Sequence, residues 1–229
     1  GFGDWSLQVD GLLFWSFFLP SPALWSRLDD TYSRLSLQPR SYSAVHCRVR
    51  HTKALSLKSN FQQPKNETIG GPDKSGLLWE GKSKDFAIST AAKALHCMRK
   101  VSELPVYFYA DSEELVNTMS SKDVTEELPK EISSLLSASV KQANIVQRSV
   151  TSETLHIDRQ QGHAPMKYAP SFLDLFVAVQ AKCIAMGVGN FAFFAAKLST
   201  SKCLIQYEGE AWGDEGIKNG ISTQCELEE

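Results

Sequence analysis

Short apolar segments rich in β-branched and aromatic residues alternate with longer amphipathic segments along most of this chain. The strand-like segments are 43–49, 105–110, 144–146, 183–189 and 203–207, and the helix-like segments are 24–37, 85–101, 124–142, 171–182 and 191–198. An acidic first turn at 112–116 predicts one further helix. Because parallel strands need crossover connections, which are usually helices, the alternation predicts an α/β fold. We expect a Rossmann-like parallel sheet with helices on both faces.

Breaks in the alternation divide the chain into three parts. The prediction is a junction with a leading helix at 1–40, a Rossmann-like nucleotide-binding domain at 41–210 with an irregular loop at 52–84, and a flexible tail at 211–229. The apolar segment 11–19 is shorter than the ~18 residues that cross a bilayer and predicts a buried strand rather than a transmembrane segment. Since the chain begins with Gly1, a fragment or processed form is expected.

Composition excludes some classes of function. The chain has 24 Lys and Arg against 26 Asp and Glu, a net charge of -2. A general nucleic-acid-binding protein carries a basic excess, so no nucleic-acid partner is expected. Hydrophobic residues make up 42% of the chain, enough to form a sizeable core.

The cysteines predict neither a metal site nor a disulfide framework. None of the five forms a CxxC pair or takes metal-ligand spacing with a histidine. Four of them lie in apolar segments, where a free thiol packs as a small hydrophobic group: Cys47, Cys97, Cys183 and Cys203. We therefore expect free thiols, with one bridge in an oxidising compartment as the alternative. A glycosylation sequon at 66–68 lies in the polar loop.

Polar residues follow the predicted strands, where open α/β sheets bind ligands. The groups are Arg48, Arg50 and His51 after the first strand, Asp111 and Ser112 after the second, His156, Asp158 and Arg159 in a third region, and Gly187, Gly189 and Asn190 before a helix. A guanidinium binds phosphate bidentately, and the N–H groups of a helix start accept an anion. A carboxylate accepts hydrogen bonds from a base or ribose. Together they predict a phosphorylated nucleotide.

Each group has a simpler alternative. Arg48 and Arg50 also suit a solvated strand edge, Asp111 also suits a helix N-cap, and the pair His156 and Asp158 also suits hydrogen bonding within a loop. No P-loop motif and no nucleophile-elbow motif is present, which disfavours P-loop NTPases and α/β-hydrolases. The two glycines at 187–189 lack the third glycine of the dinucleotide fingerprint and follow a late strand, which disfavours a nicotinamide- or S-adenosylmethionine-dependent enzyme.

Arg48, Arg50, Asp111 and the two glycines lie within six segments whose order and approximate spacing match the motifs of a known family. The segments are 18–24, 45–52, 106–112, 172–176, 180–184 and 187–191. With them the chain, over residues 14–207, resembles GDP-fucose-dependent fucosyltransferases, specifically the donor-binding C-terminal half of the α-1,6 and protein O-fucosyltransferase superfamily. The segment at 45–52 is similar to the family's Val-His-x-Arg-Arg-x-Asp strand end.

The resemblance implies a donor site for GDP-fucose. Arg48 would contact the β-phosphate and stabilise the departing GDP as a catalytic residue, because positive charge then lies where negative charge develops. The other residues implied in donor binding are His46 beneath the phosphate, Asp111 for the guanosine part, Asp174 as support, Gly189 and Asn190 along the phosphates, and Arg50 and Ser112. Asp158 is the one candidate for a general base.

The resemblance also implies the wider setting. It implies the C-terminal half of a two-domain GT-B enzyme, inverting transfer to a glycan or glycoprotein, no cofactor, no metal, and a Golgi or ER lumen location. Four departures support an alternative: Val49 separates the two arginines, Lys53 replaces an Asp, a Gly-x-Gly-Asn turn at 187–190 replaces a Ser-rich one, and the acceptor half is absent from these residues. That alternative is a non-catalytic sugar-nucleotide-binding or interaction module of the same fold.

Overall fold

The structure is a computed structural model, and its elements follow the predicted order. It describes residues 15–16, 19–49, 81–121, 123–124, 126, 128–130, 132–147, 168–187, 190–207 and 225, with only the backbone of 81–83 and 190. The helices are α1 (Pro22–Leu35), α2 (Gly81–Arg99), α3 (Glu113–Met119), α4 (Ser134–Gln142), α5 (Ala169–Val179) and α6 (Asn190–Leu198). The strands are β1 (Ser43–Cys47), β2 (Val106–Ala110), β3 (Ile145–Val146), β4 (Cys183–Met186) and β5 (Cys203–Gln206).

The five strands form one parallel sheet in the order β3-β2-β1-β4-β5. The central strand β1 pairs with β2, with His46 opposite Tyr109, and with β4, with Val45 opposite Ala185. The strand order reverses at β1, which makes the edge between β1 and β4 the topological switch point of a doubly wound sheet. This arrangement confirms the predicted α/β Rossmann-like fold.

Side chains of alternate strand residues form two cores, one on each face of the sheet. Val45, Phe108 and Ala185 pack with α2, α3 and α4 on one face. Ala44, Tyr107 and Ile184 pack with α1, α5 and α6 on the other. The strands are apolar on both faces because helices cover both, as in parallel sheets generally.

The leading helix has clear end signals in the sequence. Ser21 caps α1 by accepting a hydrogen bond from the Leu24 N–H, and Pro22 occupies the first helical position. The helix ends at Ser36, which adopts a left-handed conformation with φ of 52°. Among the described residues, no helix is long and apolar enough to span a membrane.

Three element predictions were wrong. The predicted helix 124–142 begins only at Ser134, because Ser133 caps it and Pro129 precedes the cap. The irregular loop predicted to extend to residue 84 ends earlier, since α2 begins at Gly81. Trp15 and Ser16, which belong to the predicted strand 11–19, are helical, and the rest of that strand lies largely outside the described residues.

The prediction of free thiols was also wrong for most of the cysteines. Cys97 in α2 is bonded to Cys225, with a Cα–Cα distance of 5.7 Å, and Cys183 in β4 is bonded to Cys203 in β5. Cys183 and Cys203 lie directly opposite each other in the register of the two strands, which brings their sulfurs together. Cys47 is buried and keeps its thiol.

Candidate functional site

Three of the predicted site residues follow neighbouring strands at one edge of the sheet. Arg48 follows β1, Asp111 follows β2 and Gly187 follows β4. Because β1 pairs with both other strands, these residues lie at the carboxyl edge on either side of the switch point. The backbone start of α6 at Asn190 belongs to the same edge, since α6 follows β4.

His46 is a buried polar side chain at this edge. It is 5% exposed, and its ring lies 4.9 Å from the Tyr109 ring and 5.7 Å from the Phe191 ring, measured between centroids. Burial lowers the pKa of His46 to about 4, a value that includes the opposing effect of Asp111 and a smaller lowering effect of the nearby Arg48. The imidazole is therefore neutral at physiological pH, and its buried Nδ1 has no hydrogen-bond partner among the described residues.

Arg48 places a cation beside this histidine. The side chain is half-buried, and its Nε is buried without a hydrogen-bond partner within the described part of the chain. Buried polar groups are almost always paired, so the lack of a partner for both nitrogens among the described residues needs an explanation. An anionic ligand with several acceptor oxygens would satisfy both.

Asp111 and Ser112 are both engaged by the protein itself. Oδ1 of the buried Asp111 accepts a hydrogen bond of 2.7 Å from the Val49 N–H, which fixes the chain immediately after Arg48. The Ser112 hydroxyl caps α3 by accepting from the Leu115 N–H, and it donates to Glu114 Oε2 at 2.7 Å. The N-cap of α3 is thus Ser112, while Asp111 links β2 to the end of β1.

Asp174 lies on α5, where its side chain contacts a residue of β2. Its buried carboxylate accepts a hydrogen bond of 2.6 Å from the Tyr107 hydroxyl. The Tyr107 ring stacks on the Tyr109 ring at 5.7 Å, and Tyr109 in turn contacts His46. The Tyr109 hydroxyl is buried without a partner among the described residues, and burial raises its pKa far above the ordinary value. One hydrogen bond and two ring contacts, through Tyr107 and Tyr109, thus connect Asp174 to His46.

Gly187 allows β5 to support the end of β1. A Cβ atom at this position would lie 2.7 Å from both Cζ and the hydroxyl oxygen of Tyr207, closer than real contacts come. The Tyr207 hydroxyl donates to the His46 carbonyl at 2.6 Å. The absence of a side chain at 187 therefore lets Tyr207 bind the backbone at the base of the site.

Several predicted site residues lie outside the described part of the chain. They are Arg50, His51, His156, Asp158, Arg159 and Gly189, together with the side chain of Asn190 and the sequon at 66–68. Their roles stay predictions. In the described residues no three His, Cys, Asp or Glu side chains come together as a metal site.

The site also includes three residues that the sequence does not predict: Tyr109, Phe191 and Tyr207. Tyr109 had a usable signal, because it lies two residues after Tyr107 in a strand and so shares the face of the sheet with it. Tyr207 ends the last predicted strand, and a position at the end of a strand is also what predicts the other site residues. The contact of Phe191 with His46 depends on the angle at which α6 begins, which no local pattern encodes.

The buried His46 makes stability depend on pH in a defined direction. An unfolded histidine has a pKa near 6.5. Above this pH the ring is neutral in both the folded and the unfolded state, so it does not make the free energy of unfolding depend on pH. Between 6.5 and about 4 the unfolded chain binds a proton that the folded protein does not, so the free energy of unfolding falls as pH falls, by up to ~1.4 kcal/mol per pH unit.

We expect the variant His46→Gln to lose this component. Urea unfolding of both proteins from about pH 7 to about pH 4.5 measures it, since the glutamine does not titrate and other groups cancel in the difference. His96, whose pKa burial also lowers, is present in both proteins. Parallel pH profiles would show that His46 is not buried in its neutral form.

Comparisons with protein-family models, with curated proteins and with solved structures find no match for this chain. The functional assignment therefore rests on the residues at the carboxyl edge and on their geometry.

Proposed function

We propose that the carboxyl edge of β1, β2 and β4 binds the diphosphate of a sugar nucleotide, and that the chain is the donor-binding domain of an inverting, fucosyltransferase-like enzyme that uses GDP-fucose. The observation that carries the proposal is that Arg48 Nε and His46 Nδ1, both buried at the switch point, have no hydrogen-bond partner among the described residues. Phosphate oxygens accept from both side chains, and the start of α6 adds the positive end of a helix dipole.

The roles of the residues follow from this placement. Arg48 binds the β-phosphate and stabilises the negative charge that GDP acquires when the sugar leaves, without needing to reorganise. Its half-buried position strengthens that interaction relative to water. Asp111 holds the Val49 N–H and thereby keeps Arg48 in place. The choice of guanosine and fucose comes from the resemblance of segments 45–52, 106–112 and 172–191 to the fucosyltransferase superfamily.

The cysteines support a location in the Golgi or ER lumen. Four of the five form disulfides, Cys97 with Cys225 and Cys183 with Cys203. Disulfides persist in oxidising compartments and are rare where glutathione keeps thiols reduced. A glycan or glycoprotein acceptor belongs to the same compartment.

A second candidate function is sugar-nucleotide binding without transfer. It is favoured by the engagement of Asp111 and Ser112 with backbone N–H groups, which leaves these two side chains as structural members of the edge. Calorimetry does not distinguish the two functions, because both include GDP-fucose binding. Product analysis does distinguish them. GDP released with a fucosylated acceptor supports transfer, and tight GDP-fucose binding without turnover supports the second function.

The variant Arg48→Ala tests the donor site. We expect it to weaken GDP and GDP-fucose binding about tenfold or more, because a charge-assisted hydrogen bond to phosphate is lost. Isothermal titration calorimetry measures the dissociation constants, and titrations with ADP and NAD serve as controls for nucleotide specificity. The variant Arg34→Ala, which removes an exposed arginine from α1, is the matched control and should bind as wild type does. Equal binding by Arg48→Ala and wild type would overturn the proposal.

A further inference from the structure

A cavity of about 460 Å³ lies against α1 and α5, at the amino ends of β1 and β4. Its aromatic lining residues are Trp15, Trp25, Tyr32 and Phe176, and its polar lining residues are Asp29, Ser33, Gln38 and Gln180. The volume is within the range of small-molecule sites. Since Gln38 precedes β1 and Gln180 precedes β4, the cavity lies at the opposite edge of the sheet from Arg48.

Two of the aromatic rings are held in place by hydrogen bonds. The Trp15 indole N–H donates to the Leu198 carbonyl at 3.1 Å, and its ring lies 5.6 Å from the Phe176 ring. The Tyr32 hydroxyl lies 3.3 Å from the Tyr42 hydroxyl, which donates to the Val177 carbonyl. The rings therefore present a preformed surface.

Trp25, on α1, supplies a further aromatic ring to the lining of the cavity. Trp25, Asp29 and Tyr32 recur at three to four residues, which places them along one side of the helix. Trp25 is 45% exposed, although tryptophan is largely buried on average. An exposed indole at the mouth of an aromatic cavity, one turn from a carboxylate, is an arrangement that suits a ligand with both apolar and polar faces.

We infer that this cavity binds a neutral sugar residue of a glycan. The C–H face of a pyranose stacks on an aromatic ring, while its hydroxyl groups both donate and accept hydrogen bonds. Carboxylate, amide and hydroxyl groups at Asp29, Gln38, Gln180 and Ser33 supply donors as well as acceptors. Among the described lining residues there is no lysine, arginine or histidine, so the lining does not favour an anion.

The lining also favours a sugar over a cationic ligand. Aromatic rings with one carboxylate attract a quaternary ammonium ion. Such an ion makes no use of amide donors, whereas adjacent hydroxyl groups of a sugar use both atoms of each amide. The inference does not rest on the nucleotide site, because none of the lining residues belongs to the carboxyl edge.

Saturation-transfer NMR on the whole chain tests the inference. The probes are lactose and N,N′-diacetylchitobiose as neutral disaccharides, sialyllactose as an anionic sugar and choline as a cation. We expect saturable binding of a neutral disaccharide, a dissociation constant raised about tenfold or more in Trp25→Ala, and a smaller increase in Asp29→Asn, which keeps the shape but removes the charge. Addition of GDP should leave this binding unchanged.

The matched control is Phe194→Ala, which removes an aromatic ring that is 41% exposed on α6 and does not line the cavity. It should bind the disaccharide as wild type does. Absence of saturable binding by both neutral disaccharides, saturation by choline or sialyllactose alone, or unchanged sugar binding in both Trp25→Ala and Asp29→Asn would overturn the inference. Because Trp25 and Asp29 lie on the surface of α1, both variants should fold.

Discussion

Replacing Cys225 with alanine is expected to lower the free energy of unfolding by about 5 kcal/mol. The Cys97–Cys225 bond closes a loop with a sequence separation of 128 residues, which removes a large part of the conformational entropy of the unfolded chain. The Cys225 side chain is half-buried, so its truncation removes little packing. Urea unfolding without reductant measures the change.

The shorter disulfide provides the control. Cys183 and Cys203 are separated by only 20 residues, so Cys203→Ala is expected to cost about 3 kcal/mol by the same reasoning. Alkylation of the denatured, unreduced protein should modify one cysteine, Cys47. Three or five alkylated cysteines would show that one or both disulfides are absent, and a larger cost for Cys203→Ala than for Cys225→Ala would contradict the loop-length explanation.

The order of the elements could be predicted because each has a local cause. Apolar β-rich segments and amphipathic segments differ in period, and alternation of the two leads to a parallel sheet. The disulfides could not be predicted in this way. Cys97 and Cys225 meet only after the chain has crossed the sheet, and Cys183 lies opposite Cys203 only because β4 and β5 pair in that register.

The candidate site could be predicted in part for a similar reason. The sequence predicts that Arg48, Asp111 and Gly187 lie together because the carboxyl ends of parallel strands share one edge, and the structure places them there. The function of each side chain depends on its contacts. The bond of Asp111 to the Val49 N–H and the position of Tyr207 under Gly187 are long-range contacts that no spacing in the sequence indicates.

The two proposed sites lie at opposite edges of the sheet, and this separation constrains how they work together. β1 has five residues and rises ~3.3 Å per residue, so its ends are roughly 17 Å apart. If fucose is transferred near Arg48 as proposed, a sugar held against Trp25 would therefore be a more distant residue of the glycan than the one that receives fucose. Its binding would raise the local concentration of the acceptor.

Even a methyl side chain at Gly187 is expected to destabilise the fold strongly. We expect Gly187→Ala to lower the free energy of unfolding by roughly 2–4 kcal/mol, because its Cβ would meet the buried Tyr207 ring at 2.7 Å. The ring must then move, which breaks the hydrogen bond from its hydroxyl to the His46 carbonyl. Urea unfolding measures the loss.

A double-mutant cycle identifies the cause of this loss. In the background Tyr207→Leu the ring is absent, so Gly187→Ala should cost far less than in wild type, and the coupling free energy should be about 2 kcal/mol or more. The variant Tyr207→Phe separates the two contributions, because it removes the hydrogen bond to His46 but keeps the ring carbon that the new methyl group would meet. Gly187→Ala should therefore remain costly in the Tyr207→Phe background. Equal costs of Gly187→Ala in all three backgrounds would show that Tyr207 does not occupy this space, and the support of β1 by β5 would have to be abandoned.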